Sequence, residues 1–146
     1  MTTLTEIKAL WKADAVINEL DLSKESLRSP MLHSKYLDLL VDAKRKLSSK
    51  RRDLIRMQQF KIKYWNGHCT KDELVALDLP QYQFTKPLKG ELDDKLSADD
   101  DCIQILEHIE ELEVIVFTLE SIMKAINSRG WDIKNSIEWN KFQAGG

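Results

Sequence analysis

An all-α fold with two long helices in an antiparallel hairpin and short flanking helices is predicted by three features of this 146-residue chain. The first is an unbroken apolar ladder, Cys102, Ile105, Ile109, Leu112, Val116, Leu119, Met123 and Ile126, whose alternating separations of three and four residues place it along one side of a helix. The second is the stretch from Met31 to Trp65, free of Gly and Pro, with Leu40, Leu47 and Leu54 at heptad spacing. A pattern that long points to a coiled coil or a helical arm. The third is composition: 42% hydrophobic and 32% charged residues give a helical or coiled-coil balance in a chain of one domain's length.

The elements follow in order. Thr3 or Thr5 caps a first helix whose apolar face (Leu4, Ile7, Leu10, Trp11, Ala15, Ile17) extends to about Leu20. Residues 21–30 are polar, end at Pro30, and read as a connector. The long helix follows from Met31, with Ala43, Lys50, Met57 and Tyr64 completing the seam of its leucines. Asn66-Gly67 stops it, with Gly67 suited to the left-handed position after a helix end. A Thr70/Glu73 capping box seeds a short helix before Pro80. Residues 80–97 hold two prolines and a glycine, and Tyr82 and Phe84 alternate with polar residues as in a short extended arm. Ser97 is the expected cap of the second long helix, with Asp99, Asp100 and Asp101 in its first turn, where the helix dipole favours anions. Gly130 is expected to close that helix, leaving a final amphipathic one with Trp131, Ile133, Ile137, Trp139 and Phe142. The chain is thus read as one helical domain over 1–146: residues 1–67 with the basic helix, 68–96 as a connector, and 97–146 for oligomerisation.

Net charge is only −2, but it is unevenly spread. Residues 44–63 carry nine Lys or Arg against one acid, Asp53, whereas residues 91–120 carry eleven acids and one base, Lys95. Arg45, Arg52, Arg56 and Lys63 are spaced seven, four and seven apart and share one helix line. Like charges so placed repel unless an anion neutralises them. Two readings fit. In one, Lys44, Arg45, Arg51, Arg52, Arg56, Lys61 and Lys63 contact the phosphates of a single-stranded polymer, while Tyr64 and Trp65 offer stacking faces. In the other, the chain is a structural or adaptor coiled coil whose bases meet acidic helices of neighbours.

Other chemistry has little material. Two cysteines, Cys69 and Cys102, stand without metal-ligand spacing, as in a reducing cytosol, and the histidines at 33, 68 and 108 are scattered. Phosphate-cradling glycine loops and nucleophile-elbow motifs are absent, the acid pairs fit helix capping, and neither enzymatic activity nor a cofactor or metal is expected. The N-terminus mixes acid and base unlike a signal peptide, and the longest apolar run, Val114 to Leu119, is too short to cross a membrane. Trp11 and Trp131 are read as core, Trp65 as core or platform, and Trp139 as able to pack on a neighbouring subunit.

Three stretches together resemble the UvsY family of recombination mediator proteins from T4-like bacteriophages. They are Met31-Leu32-His33-Ser34-Lys35-Tyr36-Leu37, the basic helix ending Tyr64-Trp65-Asn66-Gly67, and the C-terminal pieces Leu96 to Asp99, Ala125 to Lys134 and Phe142 to Gly145. The Ser128-Arg129-Gly130-Trp131-Asp132-Ile133-Lys134 segment is the most telling. The resemblance implies a non-enzymatic, ring-like homo-oligomer of about six or seven subunits. It implies binding of single-stranded DNA and help in loading the phage's RecA-like recombinase onto DNA covered by the phage single-strand-binding protein, in the cytoplasm of the infected host. The family's Lys-Ala-Arg-Leu motif falls on Gln59-Phe60-Lys61-Ile62: Lys61 keeps the cation in the arginine's place and Gln59 loses the first, with Lys63, Arg56 and Arg52 as substitutes. The family's oligomerisation region falls on Ile105, Ile109, Leu112, Val116, Leu119, Met123 and Ile126.

Overall fold

The structure, a computed structural model, describes residues 2–145. It contains α1 (Leu4–Asp14), α2 (Leu22–Trp65), α3 (Lys71–Ala76), a 3-10 turn (Lys89–Glu91), α4 (Leu92–Ser97) and α5 (Asp100–Gln143), with no strand among the described residues. The chain packs as two compact units: residues 1–46 with 112–146, and residues 47–111.

In the first unit, α1 starts on Thr3. Its hydroxyl accepts the Glu6 N–H while the Glu6 carboxylate accepts the Thr3 N–H, a reciprocal capping box. The helix ends at Asp14 rather than near Leu20. Asn18 accounts for the difference, because its side chain and carbonyl accept the N–H groups of Leu20 and Asp21 and hold a turn in place of helix. Asp21 then opens α2 by accepting from Lys24 and Glu25 N–H. The expected connector 21–30 is therefore the start of α2, and Pro30 lies inside the helix. A proline there removes one hydrogen bond and crowds the Ser26 carbonyl, at about 3 kcal/mol. That cost is offset because the preceding turns are anchored by side chains.

The anchor is a polar network. Glu25 and Arg129 are both buried, at 6% and 3% exposure. Arg129 Nη2 donates to the Glu25 carboxylate and, at 3.1 Å, to the Glu25 carbonyl, and Arg28 donates to the same carboxylate at 2.9 Å. Arg28 also reaches Asp14 at 3.8 Å, and Asp14 accepts from Lys35 at 2.7 Å and from the Tyr36 hydroxyl at 2.8 Å. Burial opposes ionisation of Glu25 and Asp14, yet these donors more than offset it and hold both carboxyls below their ordinary pKa. Beside the network, Ile7, Leu32, Tyr36, Leu40, Ala43, Ile115, Leu119, Ile122 and Ile126 form the core, with Trp11 edge-on to Tyr36.

Gly130 does not end α5, which continues to Gln143. Glycine in a helix interior costs only about 1 kcal/mol against alanine. Its neighbours Arg129 and Ile133 are both buried and keep the turn in register. Trp131, read as core from the sequence, is instead 66% exposed with Lys134 over its ring.

In the second unit, α2 closes where expected. His68 N–H donates to the Lys63 carbonyl and Gly67 N–H to that of Tyr64, both at 3.0 Å, with Gly67 at φ +72°. Thr70 caps α3 by accepting the Glu73 N–H. Residues 80–88, expected as a short extended arm, form neither helix nor strand, and residues 89–97 form the 3-10 turn and α4. Ser97 ends α4, and its expected capping role belongs to Asp99, whose side chain accepts the Cys102 N–H at 3.0 Å. Leu47, Trp65, Leu74, Cys102 and Ile109 are buried here.

Candidate nucleic-acid interface

The basic stretch is helical throughout, and its cations have separate fates. In the first unit, Lys44 pairs with Glu120 at 3.4 Å, both half-exposed, a contact of little energetic weight. Arg45 and Lys46 are exposed, and no carboxylate among the described residues lies within ion-pair distance.

In the second unit the same helix carries Lys50, Arg51, Arg52, Arg56, Lys61 and Lys63. Lys50 leans on Asp53 at 3.8 Å. Arg51 is exposed. Lys61 is drawn between Asp101 at 2.6 Å and Asp99 at 3.3 Å, and its side chain is only 18% exposed. Burial alone would lower its pKa, but the two carboxylates outweigh that and hold the ammonium above the ordinary lysine value. Asp99 is lowered in turn: burial opposes its ionisation, and the Cys102 and Lys61 contacts overcome it. Lys63 donates to both oxygens of Glu73 at 2.7 and 2.8 Å, which raises the lysine and lowers the acid. Arg52 and Arg56, one turn apart, are exposed with no such partner among the described residues. Of the expected phosphate contacts in this unit, this pair stands open, while Lys61 and Lys63 are matched by acids that sequence spacing did not assign to them. For Lys61 the one sequence signal was the acid cluster at the head of α5, and the partner of Lys63, Glu73, lies in the first turn of α3.

The expected stacking faces are also redistributed. Trp65 is 7% exposed, with the Lys95 ammonium 4.8 Å from its ring centroid, so it cannot serve as a platform for bases. It lies eighteen residues, or about five helical turns, beyond the buried Leu47 and so on the same face of α2, whereas the heptad seam itself continues to Lys61 and Tyr64. Tyr64 is half-buried; its hydroxyl donates to the Pro80 carbonyl at 2.7 Å, and its ring stacks on Phe60. Beside these lies an open cleft of about 630 Å³ lined by Met57, Phe60, Leu77, Leu79 and Ile105, with Lys50, Asp53, Arg56, Lys61 and Asp101 at its margin.

No group of acids, histidines and cysteines among the described residues could hold a metal, and no helix is long and apolar enough to cross a membrane. Cys102 is buried; burial first and Asp99 second push its thiol up to about 11, so it stays protonated and unreactive. On the apolar ladder, Ile109, Leu112, Leu119 and Ile126 are buried within the chain itself, while Ile105, Val116 and Met123 are partly buried. The large apolar residues α5 leaves in water are others: Leu106, Val114, Phe117, Trp131, Trp139 and Phe142.

A family model described as "Recombination, repair and ssDNA binding protein UvsY" matches residues 10–146. The chain is 26% identical over 149 aligned positions to the recombination protein uvsY of Enterobacteria phage T4, covering 97% of this chain and 98% of that one. Crystal structures of the bacteriophage T4 recombination mediator protein UvsY share the fold at 22% identity. The lattice type II structure gives a TM-score of 0.84 with 99% of both chains covered. The lattice type IV structure gives 0.82, covering 95% of this chain and 98% of that one. Each of these likenesses spans nearly the full length, and the family match includes both α2 and α5. The chain belongs to the UvsY family of recombination, repair and single-stranded-DNA-binding proteins.

Proposed function

We propose that this protein is a non-enzymatic recombination mediator. It binds single-stranded DNA along α2 and promotes loading of a RecA-like phage recombinase onto DNA coated by single-strand-binding protein, in the cytoplasm of an infected bacterium. The observation that carries this reading is the exposed, unmatched pair Arg52 and Arg56 in a family described by single-stranded-DNA binding. Pairing with acids inside the chain is partial rather than one-for-one, so cationic surface is left for a polyphosphate. This weighs against a pure adaptor whose bases serve only protein contacts.

The assembly we infer is a ring of antiparallel α2–α5 hairpins. Glu25 meets Arg129 and Lys44 meets Glu120 in one unit, and Lys61 meets Asp101 in the other, so early residues of α2 face late residues of α5. Closed symmetry covers apolar surface that one copy leaves wet, and Phe117, 70% exposed, is the side chain to test. Phe117→Asp is expected to give smaller species in sedimentation. Leu112 is buried in its own chain, so an acid there would test folding instead.

DNA binding is tested by salt dependence. Within the basic stretch 44–63, Arg45, Lys46, Arg52 and Arg56 have no carboxylate within ion-pair distance among the described residues. Four neutralised phosphates give a slope of log affinity against log salt of about −2.8 for a single strand, and Arg52→Ala with Arg56→Ala should reduce it to about −1.4. A parent slope near zero would remove the reading.

A further inference from the structure

Residues 80–88 form neither helix nor strand, yet they are held to their unit at two points. The Tyr64 hydroxyl donates to the Pro80 carbonyl, and Lys95 donates to the Tyr82 hydroxyl at 2.6 Å while lying 5.0 Å from that ring's centroid. Between these contacts runs a continuous series of rings. Phe60 stacks on Tyr64 with centroids 6.2 Å apart and planes at 17°. Tyr64 meets Tyr82 edge-on at 5.5 Å, and Tyr82 meets Phe84 at 5.5 Å with planes at 59°. The series begins at a half-buried helix position and ends on a ring that is 78% exposed, at a bend in the chain.

The ends of the series are cationic. Arg56 precedes Phe60 by one turn on the same face of α2, and Lys86 and Lys89 follow Phe84. All three are exposed, with no carboxylate within ion-pair distance among the described residues. Cations flanking open aromatic faces are what a single strand recognises: the phosphates meet the charges while an unstacked base lies on a ring. A duplex keeps its base faces covered and cannot use the ring in that way.

We propose that Phe84, backed by Tyr82, is a base-stacking platform, and that the connector carries a part of the single-strand site that α2 begins. The inference rests on the single-stranded-DNA reading of α2. It moves the stacking role from the buried Trp65 to a residue that does not belong to the basic helix.

The test compares oligothymidylate with a strand of the same length and charge that lacks bases, using the full chain and its Phe84→Ala and Phe84→Trp variants. The alanine variant should bind oligothymidylate about tenfold more weakly. Its affinity for the baseless strand and its salt slope should match the parent's. The tryptophan variant should keep the parent's affinity, and its added fluorescence should be quenched by oligothymidylate and not by the baseless strand. Equal affinities of parent and alanine variant for oligothymidylate would overturn the proposal while leaving α2 binding intact. An altered sedimentation coefficient for Phe84→Ala would also overturn it, assigning the ring to a contact between copies. A parent that binds neither strand would overturn the α2 reading and this one together.

Discussion

Asp101→Asn offers the sharpest measure of how the chain's own acids limit its affinity for DNA. Lys61, one of the expected phosphate contacts, sits between Asp101 and Asp99, so the three groups together present a net charge of −1. A phosphate approaching them meets repulsion. Removing the Asp101 charge takes away the 2.6 Å partner and brings the cluster to neutrality, with Asp99 remaining at 3.3 Å. Lys61 can then turn outward to a phosphate. One added contact steepens the salt slope by about 0.7, from about −2.8 to about −3.5, and raises affinity about fivefold at 0.1 M salt.

The assay is fluorescence anisotropy of a labelled single strand titrated at four or more salt concentrations. Asp101 is exposed and lies in the first turn of α5, where losing its charge costs well under about 1 kcal/mol, so a thermal melt should move little. If affinity and slope stay at the parent's values, Lys61 is outside the path of the strand. Weaker binding would mean that Asp101 supports the site, and the reasoning about internal neutralisation would be wrong.

Three further expectations concern the scaffold, each measured at one fixed protein concentration. Leu119 is fully buried in the first unit's core, so Leu119→Ala should lower unfolding free energy by about 3 kcal/mol in a urea titration. A Cβ on Gly130 would meet nothing within 4 Å, and the residue lies inside α5, so Gly130→Ala should raise stability by about 0.5–1 kcal/mol and the melting temperature by a few degrees. Asp14 titrates below its ordinary value of 3.8 when folded. Its contribution is therefore complete above the unfolded pKa and lost as pH falls through the folded one, and Asp14→Asn should flatten the stability loss measured by circular dichroism below about pH 4.

Much of the fold was legible because periodicity reports burial directly. The heptad leucines of α2, the Gly67 stop and the Thr70 cap stand where local physics puts them. Two of the misplacements share one cause. Pro30 and Gly130 carry local signals for ending a helix, and in both cases a tertiary contact outweighs them. That contact is the same one: Glu25, one turn before Pro30, is gripped by Arg129, the residue next to Gly130. Nothing in the spacing of either residue announces a partner 104 positions away. The Ser-Arg-Gly segment that carried the family resemblance thus owes its arginine to a buried structural bond.

The candidate site was legible in its charge and not in its pairing. Nine cations along a helix could be counted from the sequence, but which of them face water depends on where the acids of α3 and α5 fall. The acids that serve α5 as cap and first turn, Asp99 and Asp101, also neutralise Lys61, and Glu73, in the first turn of α3, neutralises Lys63. Helix capping and charge compensation therefore draw on the same carboxylates. The C-terminal turns of α2 are stabilised at the expense of binding charge, and Arg56 and Arg52, about one and a half and two and a half turns before Lys61, make no ion pair with those acids. A chain of net charge −2 can thus present a local cationic surface: the acids at the starts of α3 and α5 are taken up by Lys63 and Lys61, and Arg52 and Arg56 are left with no carboxylate within ion-pair distance among the described residues.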